Sequence, residues 1–96
     1  MDDGETMQVR FFATIREITQ QQEIQWCRPS ATLGELLNGL CARYGNKFRS
    51  WTLDGDELGK SIIILINGRD CRHQAGIRTQ LHSDDTVSIF PMVAGG

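Results

Sequence analysis

The stretch TLGELLNGLCARYGN, residues 32–46, carries the clearest helical signal in this 96-residue sequence. Thr32 is followed three residues later by Glu35, the spacing of a capping box, in which each side chain accepts a hydrogen bond from the other residue's backbone amide. Gly45 and Asn46 are residues that typically end a helix in a left-handed conformation. The apolar residues between these signals recur at the spacing of one helix face: Leu33, Leu36, Leu37, Leu40, Cys41 and Tyr44. We therefore predict one amphipathic helix here.

Gly39 lies inside this predicted helix, where glycine costs about 1 kcal/mol relative to alanine. Two interpretations stay open at this point. Either the glycine lets the helix approach a neighbouring element closely, or the helix simply tolerates it.

Two strands are predicted before the helix. Residues 7–13 begin with alternating apolar and polar side chains, which is the pattern of a half-buried strand with Met7, Val9 and Phe11 on its core side. Residues 23–28 show the same alternation, so the two segments read as a hairpin joined by a polar connection over residues 14–22.

Further strands are predicted after the helix. Residues 61–68 form a run of β-branched side chains that ends in Asn67 and Gly68, a strong hairpin-turn signal. A final strand covers residues 86–90, and a brief one surrounds Cys71. Residues 47–60 show only a weak pattern and read as an acidic, turn-rich loop, although Trp51 and Leu53 are expected to cover an edge of the core.

The order strand, strand, helix, strand, strand predicts an α+β fold. We expect a mixed sheet of about four to five strands packed on one main helix, with the last strand beside the first, which is the ubiquitin-like β-grasp. The predicted organisation is a disordered extension over residues 1–6, a β-grasp domain over 7–91 and a flexible tail over 92–96.

Composition excludes several classes of function. The formal net charge of −2 and the scattered Lys and Arg residues argue against a nucleic-acid partner. The longest apolar run, Ile62–Ile66, is far shorter than the roughly 20 residues that span a bilayer, so no membrane partner is expected. The acidic N-terminus does not resemble a targeting segment, and a cytoplasmic location is expected by default.

No arrangement of catalytic residues or metal ligands stands out in the sequence. Cys27, Cys41 and Cys71 are widely spaced without a C-x-x-C pair, so we expect reduced thiols that lie partly in the core. His73 and His82 lack ligands at metal-binding spacing and are expected to be solvated. The chain is therefore predicted to bind no metal or cofactor and to supply no catalytic residues of its own.

The C-terminal hexapeptide PMVAGG, residues 91–96, is the most informative segment for function. Glycine has no Cβ, so Gly95 and Gly96 can lie extended in a channel too narrow for side chains and present the terminal carboxylate to ATP. Five residues reach at most about 17 Å, enough to enter another protein's active site. A free end without a role is the alternative.

A docking patch is expected beside this tail. On the first and last strands, Phe12 and Phe90 are in phase with the outward-facing residues. They would form an exposed apolar patch together with Ile63 and Leu65, or with the alternate residues of that strand, and such patches commonly mark partner sites. Cover by the 47–60 loop is the alternative.

Three segments resemble a known family: VRFFATIREIT near the start, ILINGRD in the middle and DDTVSIFPMVAGG at the end. They are similar to the sulfur carriers that include the small subunit of molybdopterin synthase (MoaD) and the thiamine-pathway carrier ThiS. The likeness covers residues 7–96, and Phe-Pro followed by Val-x-Gly-Gly is specific to the molybdopterin branch. Met92 departs from the pattern, because the family often has a second proline there.

The resemblance implies a function and a set of partners. An E1-like adenylyltransferase (MoeB-like) would use ATP to adenylate Gly96, and a sulfur donor protein would convert the adenylate to a thiocarboxylate. The tail would then enter the large subunit of molybdopterin synthase (MoaE-like) and deliver sulfur to cyclic pyranopterin monophosphate. Gly95 and Gly96 are implied as the reactive tail, and the docking residues are implied as Phe12, Phe90, Pro91 and Val93.

Other functions stay open. A carrier for thiamine thiazole or cysteine synthesis would share the thiocarboxylate and differ in its acceptor. A ubiquitin-like modifier would join Gly96 to lysine side chains, and a plain binding module would not use the tail at all.

Overall fold

The computed structural model describes residues 6–27 and 31–92. The helices in this part of the chain are α1 (Ala13–Thr19), α2 (Leu33–Tyr44) and α3 (Asn46–Thr52). The strands are β1 (Met7–Phe11), β2 (Glu23–Trp26), β3 (Leu53–Asp54), β4 (Glu57–Leu58), β5 (Ile62–Ile66), β6 (Arg69–Asp70) and β7 (Thr86–Pro91). Two short 3-10 turns, Cys71–His73 and Gly76–Arg78, lie between β6 and β7.

Five strands of the described chain form one mixed sheet in the order β2-β1-β7-β5-β6. β7 runs parallel to β1, with Val9 opposite Val87, and antiparallel to β5, with Ile64 opposite Ile89. The last strand therefore lies beside the first and in the centre of the sheet. This arrangement confirms the predicted ubiquitin-like β-grasp.

Alternate residues of the three central strands are buried on the side of the sheet that faces the core. The buried side chains of these strands are Met7, Val9, Phe11, Ile62, Ile64, Ile66, Val87 and Ile89. The predicted stripe of α2 packs onto the same core, with Leu33, Leu36, Leu37 and Leu40 fully buried. The strands' other residues face away from the core because side chains alternate along a strand.

Helix α2 begins and ends where the sequence predicts. The Thr32 hydroxyl accepts a hydrogen bond from the Glu35 amide at 3.3 Å. The Glu35 carboxylate, however, accepts one from the amide of Ala31 at 2.7 Å, one residue before the expected partner. The helix ends at Gly45, whose φ of 95° and ψ of −169° lie in a region that is essentially restricted to glycine.

The predicted polar connection over residues 14–22 is wrong for most of its length. Its first part belongs to α1, in which Ile15 and Thr19 are buried. The hydroxyl of Thr19 is hydrogen-bonded within the turn that follows the helix, to the carbonyl of Gln21 at 3.0 Å. Because the buried face of α1 consists of an isoleucine and a threonine, its helical pattern was not evident in the sequence.

The predicted loop over residues 47–60 is also wrong. It contains α3, followed by the hairpin of β3 and β4, in which Leu53 is opposite Leu58. Leu53 is buried and Trp51 packs partly buried against the core, so the expectation that these two residues cover a core edge is confirmed. The predicted turn at Asn67 and Gly68 is confirmed too, since both residues have the positive φ of a tight hairpin turn.

Candidate functional site

The sheet face that points away from the core carries an aromatic pair where β1 and β7 end. The rings of Phe12 and Phe90 are stacked, with centroids 4.2 Å apart and planes inclined by 10°. Phe90 is opposite Ile63 on β5, and Leu65 lies two residues further along that strand. All four side chains are partly exposed and together form what we call the apolar patch.

The structure decides between the alternatives for this patch. Ile62, Ile64 and Ile66 are buried, so Ile63 and Leu65 are the outward set of β5. Segment 47–60 does not leave the core to cover the patch, because α3 packs on α1 and α2 and its Phe48 is fully buried. The exposed parts of the Phe12 and Phe90 rings are therefore available to a partner.

A polar network borders the apolar patch on β1 and β2. The Arg10 guanidinium lies 5.4 Å from the centre of the Phe12 ring, and its Nε is 3.7 Å from the Glu23 carboxylate. That carboxylate also accepts a hydrogen bond from the Gln8 side chain at 2.7 Å. This network was not predicted, although opposite charges facing each other across the predicted hairpin were a usable signal.

The chain leaves the sheet next to the apolar patch. Pro91 is the last residue of β7 and is opposite Ile62, and the Met92 amide donates to the Ser61 carbonyl at 2.8 Å. Met92 is 40% exposed, the one large apolar side chain of residues 6–27 and 31–92 that is so exposed. The remaining predicted site residues, Val93, Gly95 and Gly96, lie outside the described residues, so their roles stay predictions.

Cysteine chemistry is restricted by burial. Cys41 and Cys71 are buried and Cys27 is exposed, as expected for reduced thiols partly in the core. Burial, followed by the nearby Asp70 carboxylate, raises the pKa of Cys71 to about 11, so this thiol is protonated and unreactive at neutral pH.

The histidines and acidic residues form no metal centre in the part of the chain that is described. His73 and His82 are exposed, as predicted, and His82 lies 3.9 Å from the Asp85 carboxylate. Among residues 6–27 and 31–92 no three His, Cys, Asp or Glu side chains are close enough to hold an ion. Within the same ranges, none of the helices has both the length and the apolar character needed to cross a bilayer.

Arg72 is a structural residue that the sequence did not reveal. Its guanidinium donates to the Ile62 carbonyl at 2.6 Å and to the Gly59 carbonyl, so it joins the turn before β5 to the loop after β6. Ser61, which holds Met92, lies between these two carbonyls. The arginine therefore helps to fix the backbone at which the tail begins, and no local pattern predicts such a contact.

The family model described as the ThiS family matches residues 9–96 of the chain. Small archaeal modifier protein 3 of Haloferax volcanii is 41% identical over 91 residues, which cover 94% of this chain and 98% of that protein. The match covers nearly the full length of each protein, so the similarity extends over the whole domain.

Solved structures are similar over the same length. The solution structure of the Haloferax volcanii HVO 2177 protein has a TM-score of 0.84 and 38% identity, and the alignment covers 100% of this chain and 92% of that one. A Pyrococcus furiosus protein proposed to be subunit 1 of molybdopterin converting factor has a TM-score of 0.72 and 25% identity, with coverage of 92% and 98%.

Proposed function

The chain belongs to the ThiS family of ubiquitin-like sulfur carriers, and from this premise we propose that it is the small subunit of a molybdopterin synthase. In this proposal the carboxylate of Gly96 is the group that reacts, and Gly95 has no side chain that would hinder access to it. The catalytic groups come from an E1-like adenylyltransferase and from the large synthase subunit. This chain contributes the docking surface and the acyl group.

The observation that carries the proposal is the position of the apolar patch at the point where the chain leaves the sheet. Phe90 and Met92 are only two residues apart, so a partner that covers the Phe12 and Phe90 rings also receives the segment that follows. Complete burial of an exposed ring contributes about 1.5 to 3 kcal/mol before the costs of association, and these partly buried rings contribute less. Because the φ of Pro91 is fixed, this residue restricts the direction in which the segment leaves the sheet. Val93 is proposed as the next apolar residue that contacts the partner.

The chemistry follows from the low reactivity of a carboxylate. In the first step a Gly96 carboxylate oxygen attacks the α-phosphorus of ATP, and pyrophosphate leaves. In the second step a sulfur nucleophile from the donor protein attacks the acyl carbon, and AMP leaves. When the donor's sulfur is a persulfide, a thiol then cleaves the S–S bond of this adduct and forms a disulfide, which leaves a thiocarboxylate on Gly96. The thiocarboxylate gives its sulfur to cyclic pyranopterin monophosphate, and water restores the Gly96 carboxylate.

Mass spectrometry of the intact protein tests the activation. Incubation with ATP, the cognate adenylyltransferase and a sulfur source should add about 16 Da, because one oxygen is replaced by sulfur. A variant that lacks Gly96 is the matched control and should keep its mass and its fold. An unchanged wild-type mass would contradict the proposal, and formation of molybdopterin with the large synthase subunit would identify the acceptor.

A second candidate function is protein modification, and the 41% identity to a small archaeal modifier protein favours it. Here a lysine amine, rather than sulfur, attacks the activated carbonyl of Gly96 and forms an isopeptide bond. A tagged chain incubated in cell extract with ATP should then give a ladder of conjugates that deletion of Gly96 removes. Conjugates without any +16 Da species would favour this function over sulfur transfer.

A further inference from the structure

The end of β7 is held to the sheet on one side only. β1 pairs with β7 as far as Ile89, whose carbonyl accepts a hydrogen bond from the Phe12 amide at 3.1 Å. Beyond Ile89, the described part of the chain pairs with β5 alone. The point at which the tail begins is therefore fixed only as firmly as the start of β5.

One backbone hydrogen bond holds Met92, the first residue after β7. Its amide donates to the Ser61 carbonyl at 2.8 Å. Pro91 has no amide hydrogen, so the next residue along β7 whose amide can bind to β5 is Phe90. Loss of the Met92 bond would therefore move the last backbone contact of the described chain with the sheet from Met92 to Phe90, two residues further from Gly96.

The outer side of β5 is paired over part of its length. β6 has two residues, and these are opposite Leu65 and Ile66 at the far end of β5. In the part of the chain that the structure describes, no strand lies on this side of Ile62. Without a neighbouring strand, backbone groups at a sheet edge need other hydrogen-bond partners.

Arg72 provides the donors that a neighbouring strand would provide. Its guanidinium donates to the Ile62 carbonyl at 2.6 Å and to the Gly59 carbonyl. The Gly59 amide in turn donates to the Thr52 carbonyl at the end of α3, at 2.9 Å. Hydrogen bonds from a charged donor are stronger than neutral ones, so this side chain fixes the backbone on both sides of Ser61.

The backbone of Arg72 is itself well anchored. Its amide donates to the Asp70 carboxylate at 2.9 Å, which caps the 3-10 turn Cys71–His73. Cys71, directly before it, is fully buried. Arg72 is exposed, so a variant with a shorter side chain leaves the hydrophobic core intact.

We propose that Arg72 is a positioning residue for the activation of Gly96. By holding the backbone on both sides of Ser61, it keeps Met92 on the sheet and fixes the point from which the tail reaches the partner's active site. The inference rests on the proposed function, because it concerns the step in which Gly96 is adenylated.

The rate advantage of a fixed starting point has two sources. The effective concentration of a tethered group falls with about the −3/2 power of the tether length or more steeply, so two further residues reduce it. A tether that starts in a fixed direction also brings the reacting atoms into line more often. Both effects act after the carrier has docked through the apolar patch, so they change the rate within the complex rather than the affinity.

Single-turnover release of pyrophosphate, with the cognate adenylyltransferase in excess over the carrier and ATP saturating, measures this step. Arg72→Ala should lower the maximal rate constant about fivefold. The enzyme concentration that gives half of this rate should stay within about twofold of the wild-type value, because the apolar patch is unchanged. Arg72→Lys keeps a charged donor without the planar fork and should recover part of the rate.

Two control variants separate positioning from charge and from stability. Arg78→Ala removes the same side chain from the other 3-10 turn, where it has no side-chain partner in the described chain, and should keep the wild-type rate. Thr32→Ala removes the cap of α2, lowers stability far from the tail and should also keep the rate. An equal loss of rate in Arg72→Ala and in either control would overturn the inference.

Hydrogen exchange of single amides, followed by nuclear magnetic resonance, tests the structural step without the enzyme. Arg72→Ala should speed exchange of the Met92 amide at least fivefold, because local opening frees this amide without global unfolding. The Phe12 amide, bonded to Ile89 at the other side of β7, should exchange as in the wild type.

The outcomes distinguish the inference from the function on which it rests. If Arg72→Ala keeps the wild-type rate constant, or if exchange of its Met92 amide is unchanged, the inference is overturned while the proposed function stands. If the enzyme releases no pyrophosphate with the wild-type chain, the proposed function fails and the inference fails with it.

Discussion

Gly39 is the residue at which α2 lies against the indole ring of Trp26. A Cβ built on this glycine would be 2.7 Å from Cζ2 of the ring, closer than side-chain atoms pack. Trp26 is only 5% exposed and takes part in the core. Of the two interpretations that the sequence left open, the structure supports close approach, and the reason lies in a residue of β2 that helix periodicity cannot identify.

Gly39→Ala should therefore lower the free energy of unfolding by up to about 2 kcal/mol. Alanine gains about 1 kcal/mol in helix propensity, but overpacking against a buried ring costs more, typically 1 to 3 kcal/mol with displacement of neighbours. Urea unfolding measures the difference. Asn38→Ala, one residue away on the exposed side, is the control and should stay within about 0.5 kcal/mol. If the helix merely tolerated its glycine, Gly39→Ala would instead raise the free energy of unfolding by about 1 kcal/mol.

The elements that the sequence revealed are those with a strong signal within their own length. Helix α2 has twelve residues and both caps, and β5 is a continuous apolar run. Helices α1 and α3 have seven residues each, too few to be stable alone, and depend on packing against distant elements. A weak signal was present, because Phe48, Trp51 and Thr52 have helical spacing. Neither helix was predicted, because their stability comes from packing that the local sequence does not show.

The cap of α2 gives a prediction at the scale of this element. Thr32→Ala removes the hydroxyl that accepts from the Glu35 amide, and loss of such a cap costs about 1 kcal/mol. For a domain of this size the midpoint of thermal unfolding should fall by roughly 4 to 8 °C. Thr32→Ser keeps the hydroxyl and should unfold within about 2 °C of the wild type. Equal loss in both variants would mean that the threonine methyl group, rather than the cap, stabilises the helix.

The molecule as a whole is organised around the pairing of its two ends. β7 lies between β1 and β5 and is hydrogen-bonded to both, so the last strand in chain order occupies the centre of the sheet. This order was predictable from the succession of two strands, a helix and further strands, which is that of the ubiquitin-like β-grasp. The two-stranded sheet of β3 and β4 was not, since strands of two residues carry no periodicity. The same central position places Phe90 and the start of the tail against Phe12 at one end of the sheet.

A truncation series tests the central role of β7. A chain that ends after Asp85 lacks the strand, so β1 and β5 lose their common partner and the core loses Val87 and Ile89, which contribute about 1.5 to 3 kcal/mol each. Since domains are stable by only about 5 to 15 kcal/mol, this chain should show no cooperative thermal transition in circular dichroism. A chain that ends after Met92 keeps both ladders and should unfold cooperatively near the wild-type temperature. Cooperative unfolding of the shorter chain would mean that the other four strands and the helices form a stable core without their central strand.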